Sequence, residues 1–206
     1  MIPATYAAAL GSLAAADERL VVLTAENRAP LGALETALGE RFIDVGIAEQ
    51  TMVGAAAGLA IRGRIPVAHA LAAFLTMRPF EFIRTDVGLP DLPVKLVGFV
   101  PGVLSEANGP THQALEDVAL MRGIPNMGIF CPSDEEDLVL GLGEVLWSDR
   151  PFYVRLNQRA PFRSHARFEL GKAELLGIGS EVGILAYGTL VREAAEAAKT
   201  VGKAGI

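Results

Sequence analysis

The chain has 206 residues, of which 51% are apolar and 20% are charged, a composition that is typical of globular proteins and excludes a disordered chain. Its 18 basic and 24 acidic side chains give a net charge of −6, which argues against a surface for nucleic acid or anionic membranes. The single cysteine cannot form an internal disulfide, and the longest apolar run, residues 52–61, is well short of the roughly 20 residues of a membrane span. We therefore expect a soluble, cytoplasmic protein without a secretion signal.

Short apolar runs alternate along the chain with stretches of helical spacing. Because these runs are apolar throughout, they predict strands that are covered on both faces, as in a parallel sheet between helix layers. The predicted strands cover residues 20–23, 42–45, 66–70, 94–100, 127–131, 152–156 and 182–186. The predicted helices cover residues 5–17, 49–61, 80–87, 115–122, 135–147 and 190–201. The pattern predicts an α/β fold with a mostly parallel sheet between layers of helices.

The regular alternation stops after residue 158, which suggests a domain boundary. Residues 1–158 are predicted to form one domain. Residues 159–180 contain several arginines and glycines without a periodic run, and they read as a linker. Residues 181–206 offer one strand and one helix, which together cannot bury both faces of the strand, so they read as the beginning of a second α/β domain.

Three turns that lead from predicted strands into the following segments are unusual. In open α/β sheets, ligands bind at such turns. Residues 44–50 place Glu49 behind a glycine at a helix start, residues 69–74 end in Phe74, and the polar residues 105–113 contain His112. Each side chain alone has an ordinary explanation, as a surface acid, a core aromatic or a structural histidine. Spacing and composition therefore indicate a possible site without identifying its reaction.

Taken together, longer strings at these turns resemble a known family. The strings are DVGIAEQTMVGAAAGLA from residue 44, IPVAHALAAF from residue 65, NGPTHQALEDVALMRGIPNM from residue 108 and FCPSDEEDL from residue 130. They closely resemble the pyrimidine-binding domain of transketolases, and most of all the C-terminal subunit of a split, two-chain transketolase. The resemblance covers residues 4–158, whereas residues 171–206 are similar only to the opening of the family's third domain.

The resemblance implies a cofactor and an activity. Transketolases use thiamine diphosphate to transfer a two-carbon ketol unit from a ketose to an aldose. Glu49 matches the glutamate that hydrogen-bonds N1′ of the aminopyrimidine, Phe74 matches the aromatic residue stacked on that ring, and Ile47 and Glu26 are expected to complete the cofactor contacts. His112, in the T-H-Q motif, is expected beside the reacting carbons as a catalytic residue. We expect Glu49 to be buried.

The substrate side of the site departs from the family. Besides His112, the resemblance implies substrate contacts by Asn108, where the family often has aspartate, and by Arg159 and His69. For His69, a buried structural histidine is an equal alternative.

The family's phosphate contacts are poorly matched. Pro3 and Gln158 stand where arginines are usual, and Val100 replaces a histidine. Because charge-assisted bonds hold phosphate groups, this pattern predicts a sugar that is not phosphorylated.

The resemblance also implies a partner chain. No G-D-G…N stretch of the kind that holds the diphosphate through a metal is present, so this chain is expected to bind no metal itself. An N-terminal transketolase subunit is expected to hold the diphosphate and its Mg²⁺ or Ca²⁺, in an α2β2 heterotetramer that places the cleft between subunits. This chain alone is expected to be inactive.

Three alternatives remain open from the sequence. The same domain occurs in 1-deoxyxylulose-5-phosphate synthase and in the β subunit of 2-oxoacid dehydrogenases. The T-H-Q-A-L-E-D loop at residues 111–117 favours transketolase over the dehydrogenase. A non-catalytic subunit that only stabilises its partner is the third alternative, and the retention of Glu49, Phe74 and His112 argues against it.

Overall fold

A computed structural model describes residues 5–203 and shows a single sheet with helices on both faces. The strands are β1 (Leu20–Thr24), β2 (Phe42–Asp44), β3 (Ile65–Leu71), β4 (Lys95–Phe99), β5 (Gly128–Phe130) and β6 (Phe152–Leu156). The strand order across the sheet is β2-β1-β3-β4-β6-β5, and each neighbouring pair is parallel. The predicted α/β class with a mostly parallel sheet is therefore confirmed.

The helices follow the predicted segments closely and add two short ones, α2 and α4. None of the helices in residues 5–203 is long and apolar enough to cross a membrane. Short 3₁₀ turns lie at Ala29–Leu31, Gly39–Arg41 and Pro110–His112. The helices are α1 (Tyr6–Ala16), α2 (Leu34–Leu38), α3 (Glu49–Ile61), α4 (Ala72–Met77), α5 (Phe80–Phe82, continued by a π-helix at Ile83–Gly88), α6 (Asp117–Arg122), α7 (Glu135–Trp147) and α8 (Leu190–Lys203).

Two apolar layers cover the sheet. Helices α1, α2 and α7 pack on one face, and α3, the π-helix and α6 pack on the other. Successive side chains of a strand point to opposite faces, so Val22 packs in the first layer and Leu23 in the second. A strand buried on both faces favours apolar residues at most positions, which explains the apolar runs. Polar residues that are buried in these strands, such as His69 of β3, have hydrogen-bond partners within the fold. Each fully buried apolar side chain stabilises the fold by about 1.5–3 kcal/mol.

The C-terminal part of the chain differs from the sheet. The strand predicted at residues 182–186 is wrong, because this segment pairs with no strand of the described chain and Leu185 is 98% exposed. A strand requires a hydrogen-bonded neighbour, and the edge strands β2 and β5 do not supply one. Residues 159–180 contain neither helix nor strand. The division into domains at residues 158 and 180 stays a prediction.

Candidate active site

The predicted site residues gather at the carboxyl edge of the sheet, where parallel strands end together. This edge carries the turns after β1, β2, β3, β4 and β6. The side chains in question are Glu26 after β1, Ile47 and Glu49 after β2, Phe74 after β3, Asn108 and His112 after β4, and Arg159 after β6.

Asp44 holds the turn that delivers Glu49 to the start of α3. Its Oδ1 accepts hydrogen bonds from the backbone N–H of Gly46 at 2.9 Å and of Glu26 at 3.1 Å, and Arg28 pairs with Oδ2. Burial raises the pKa of Asp44, but the bonds from Gly46, Arg28 and Glu26 outweigh it and hold that pKa below its usual range. Gly46 has φ +69°, a backbone region that favours glycine. The turn is therefore fixed by charge and by backbone conformation.

Glu49 is a buried carboxylate with unused hydrogen-bonding capacity. It is the first residue of α3 and is 2% exposed, as expected from the sequence. Its Oε1 accepts a hydrogen bond from Nη1 of Arg78 at 2.8 Å. Within residues 5–203, Oε2 of Glu49 has no hydrogen-bond donor. Because a carboxylate offers about four acceptor positions, Glu49 retains the capacity to bind a further group.

A chain of contacts runs from Glu49 through Arg78 and Phe74 to His112. Helix α4 begins directly after β3 and places the half-buried Phe74 ring at the carboxyl edge. The guanidinium carbon of Arg78 lies 3.7 Å from the centre of this ring. The imidazole of His112 meets the ring edge-on, with the ring centres 4.9 Å apart. The structure therefore brings together Glu49, Phe74 and His112, which the sequence predicted, with Arg78, which it did not.

The loop after β4 presents His112 and Asn108. Gly102 and Ala114 form two backbone hydrogen bonds of 2.9 Å that close this loop at its base. Nδ1 of His112 lies 3.0 Å from the hydroxyl of Thr111. The exposed side chain of Asn108 donates its amide hydrogen to Ser105 at 3.1 Å.

His69 has a structural environment rather than a position in the cleft. It is 1% exposed, its Nε2 lies 2.7 Å from the Tyr6 hydroxyl, and its Nδ1 lies 3.1 Å from the carbonyl oxygen of Leu23. Burial lowers the pKa of His69 to about 4, so the ring is neutral near pH 7. Both nitrogens are already bonded within the core. This geometry favours the structural alternative over the predicted substrate contact.

Glu26, another predicted cofactor residue, lines an open cavity of about 470 Å³ at the ends of β1 and β2, together with Asp44 and Gly46. Ile47, in the same turn, is 73% exposed. An apolar side chain held this openly beside a buried carboxylate is available to contact a ligand or another chain.

Two positions at which the resemblance predicted a missing phosphate contact have strained backbone. Val100 has φ +46° and Gln158 has φ +47°, in the left-handed region that residues other than glycine rarely adopt, a β-branched valine least of all. Such strain, of order 1–3 kcal/mol per residue, is concentrated at functional sites. Arg159, next to Gln158, is exposed, and its carbonyl oxygen accepts the N–H of Glu135 at 2.9 Å. The contact between Arg159 and a substrate stays a prediction.

A second group of buried polar residues was missed by the sequence reasoning. Asp117 accepts hydrogen bonds from the Tyr153 hydroxyl at 2.7 Å and from Nε and Nη2 of Arg155 at 2.8 and 3.2 Å. This cluster ties the start of α6 to β6. Asp117 ends the T-H-Q-A-L-E-D string, but nothing in that string reveals its partners on β6. Arg78 could have been found, because it follows Phe74 by four residues and this spacing places two side chains on one helix face.

Comparisons with known proteins show the family to which the chain belongs. Residues 2–161 match the family model described as the transketolase pyrimidine-binding domain. The chain belongs to the transketolase family. It is 40% identical to the 6-deoxy-6-sulfo-D-fructose transketolase subunit SqwH of Clostridium sp. (strain MSTE9), over 98% of this chain and 64% of that protein. It is 36% identical to a putative transketolase C-terminal section of Methanocaldococcus jannaschii, over 98% of this chain and 66% of that protein.

A solved structure described as a split-gene transketolase, inactive β4 tetramer, superposes with a TM-score of 0.87 at 37% identity, over 98% of this chain and 67% of that one. The 1-deoxy-D-xylulose-5-phosphate synthase of Aquifex aeolicus is 37% identical to this chain, over 98% of this chain and 33% of that protein. The chain thus spans about two thirds of the length of the transketolase relatives it matches. Among residues 5–203, no group of three or more metal-ligating side chains could hold a metal ion.

Proposed function

We propose that this chain is the pyrimidine-binding subunit of a two-chain transketolase. With its partner it transfers a two-carbon ketol unit from a ketose to an aldose, using thiamine diphosphate. The observation that supports this most directly is Glu49, a buried carboxylate whose Oε2 accepts no hydrogen bond from residues 5–203, linked through Arg78 to the half-buried ring of Phe74. A carboxyl group and an aromatic ring are what an aminopyrimidine needs for a hydrogen bond and a stacking contact.

Each residue of the site then has a proposed role. Glu49 hydrogen-bonds N1′ of the aminopyrimidine and exchanges a proton there, and Phe74 stacks on that ring, while Ile47 and Glu26 complete the cofactor contacts. The cofactor, when bound, supplies the carbanion chemistry of ketol transfer. His112 donates or accepts a proton at the substrate oxygens, because a neutral imidazole has one donor nitrogen and one acceptor nitrogen.

On the substrate side we propose Asn108 and Arg159 as further contacts. His69 is left out of this set, because both of its ring nitrogens are bonded inside the core.

The proposed partner is an N-terminal transketolase subunit in an α2β2 assembly within the cytoplasm. That subunit holds the diphosphate and its Mg²⁺ or Ca²⁺. Two relatives support this, one described as a C-terminal section and one as a split-gene transketolase whose β4 tetramer is inactive. An inactive β tetramer of a relative agrees with a site that needs a second kind of chain.

The proposed substrate is a sugar without a terminal phosphate, and a sulfonated sugar fits best. Val100 and Gln158 give the edge no cation at two positions where phosphate contacts are usual, which leaves Arg159 nearby. A sulfonate carries one negative charge where a phosphate carries up to two, so fewer cations are needed to bind it. A relative described as a sulfofructose transketolase subunit supports this class.

The experiment is to express this chain together with its N-terminal partner and to measure ketol transfer with and without thiamine diphosphate. Free, sulfonated and phosphorylated ketoses are compared as donors. We expect transfer that depends on the cofactor and favours a sugar without phosphate. A preference of roughly several hundredfold for the phosphorylated sugar rejects the substrate proposal, because it requires charge-assisted phosphate contacts.

The same assay separates the alternative functions. Hydroxypyruvate as the effective donor supports transketolase, whereas pyruvate supports a 1-deoxyxylulose-5-phosphate synthase or a 2-oxoacid dehydrogenase. A complex that binds thiamine diphosphate yet stays active when Glu49 is replaced by alanine identifies this chain as a stabilising subunit only.

A further inference from the structure

We propose that Arg78 is a positioning residue of this site, which fixes the carboxylate of Glu49 and the ring of Phe74 relative to each other. The inference rests on the proposed function, because it assigns Arg78 to the pyrimidine site. No predicted role included Arg78, and the geometry alone points to it.

The first support is the ion pair between Arg78 and Glu49. Nη1 of Arg78 lies 2.8 Å from Oε1 of Glu49, whose side chain is 3% exposed, whereas the side chain of Arg78 is 40% exposed. In residues 5–203, Arg78 is the one cation in contact with this carboxylate. Removing one partner of such a pair leaves a buried charge without compensation, so the position of Glu49 depends on Arg78.

The second support is the contact between Arg78 and Phe74. The guanidinium carbon lies 3.7 Å from the ring centre, within the range of a cation–π interaction. Arg78 directly follows α4 and keeps a helical backbone, four residues after Phe74. This spacing lets one guanidinium cover the ring and still reach Glu49 at the start of α3.

The shape of arginine matters to this role. A guanidinium is planar, stacks on aromatic faces and donates several N–H groups in fixed directions, whereas a lysine ammonium is a compact charge on a flexible stem. We therefore expect lysine at position 78 to preserve the pairing with Glu49 but to lose the stacking on Phe74. Methionine has a similar length and loses both contacts.

The test is a double-mutant cycle on the complex with the partner subunit, read out as the dissociation constant of thiamine diphosphate by titration calorimetry. The variants are Arg78→Met, Glu49→Gln and the two combined. Arg78→Met should weaken binding about tenfold, because it disrupts a charge-assisted contact. In the Glu49→Gln background the same change should weaken binding by less than about threefold, because two residues that act through one contact are not additive.

Two further variants sharpen the result. Arg78→Lys should give a dissociation constant between those of the parent and Arg78→Met. Arg84→Met, a change at an exposed arginine of the π-helix, should bind as the parent does. An equal loss from Arg84→Met would mean that general charge, and not position, accounts for the effect, and would overturn the inference.

The remaining outcomes are also decisive. An equal loss from Arg78→Met in both backgrounds, or no loss in either, overturns the role of Arg78 while leaving the proposed function in place. A parent complex that binds no thiamine diphosphate overturns the proposed function and this inference together.

Discussion

Two buried carboxylates, Asp117 and Glu49, share a similar environment but differ in how fully they are bonded. Asp117 is 1% exposed, and both of its oxygens accept hydrogen bonds from Tyr153 and Arg155. Glu49 is 2% exposed and, among the residues that the structure describes, accepts a hydrogen bond on one oxygen only, from Arg78. A buried carboxylate whose two oxygens are both bonded within the fold stabilises it, whereas one with an unbonded oxygen is suited to binding.

The neighbours of the two carboxylates differ in the same way. Tyr153 lies so close beneath β4 that a Cβ at Gly98 would come within 2.5 Å of its hydroxyl oxygen, so only glycine fits there. The partner of Glu49 is a half-exposed arginine, Arg78, and the turn that precedes Glu49 holds an exposed isoleucine, Ile47. The cluster at Asp117 is closed by packing, and the cluster at Glu49 is open at the edge of the sheet.

The largest effect is expected when Glu49 is replaced by glutamine. Removing a positioned proton-transfer group should lower the turnover of the complex by about 10²–10⁴-fold. The free energy of unfolding should change by no more than about 1 kcal/mol, because the partner Arg78 is partly exposed. Steady-state rates and urea unfolding of the same preparation measure both quantities. Normal turnover in this variant would remove Glu49 from the mechanism.

Replacing Asp117 by asparagine should mainly lower the stability of the fold, whereas Glu49→Gln should mainly lower turnover. We expect a loss of about 3 kcal/mol in the free energy of unfolding, because Arg155 is left without its buried counter-charge. Urea unfolding measures this loss, and Tyr153→Phe, which removes one hydrogen bond, should cost about 1 kcal/mol as a graded control. A variant as stable as the parent would show that the two carboxylates do not differ as described.

The buried histidines provide a test by pH. Burial lowers the pKa of His69 to about 4, so stability should fall as the pH drops below about 6.5, by on the order of 2 kcal/mol at pH 5.

His165 should have the opposite effect, because its pKa is raised above the usual value. Burial alone would lower this pKa, but the bonds to Glu174 at 2.8 Å and Asp134 at 3.1 Å outweigh burial. The stability from His165 should therefore be full below about pH 6.5 and lost as the pH rises further.

Urea midpoints measured between about pH 5 and pH 8 check these signs. His69→Gln should flatten the acid side of the profile, and His165→Gln should be most destabilising on that side. Identical pH profiles for the parent and both variants would contradict the opposite signs expected for the two histidines.

The smallest effect is expected when the aromatic ring of Phe74 is removed. Phe74→Ala should weaken thiamine diphosphate binding by the complex about fivefold, in line with a stacking contact of about 1 kcal/mol. Phe82→Ala, at a partly exposed phenylalanine on α5, is the matched control and should leave affinity unchanged. An unchanged affinity in Phe74→Ala, measured by calorimetry, would place the cofactor elsewhere.

Local sequence patterns predicted most elements of the fold and some of the site. Helices α3 and α7 and strand β6 have the predicted bounds, because a helix start or a buried strand is marked by neighbouring residues. Residues 182–186 have an equally apolar pattern and form no strand in the described chain. The pattern could not reveal this, because a strand depends on a hydrogen-bonded neighbour from elsewhere in the sequence.

The sequence by itself determined the α/β class, the family and the placement of Glu49, Phe74 and His112 at the ends of strands. The tertiary structure decided which side chains meet there. Arg78 contacts Glu49, which is 29 residues away in the sequence, and His69 is hydrogen-bonded to Tyr6, which is 63 residues away. Periodicity and caps are set by near neighbours along the chain, whereas such contacts arise only when separate elements pack.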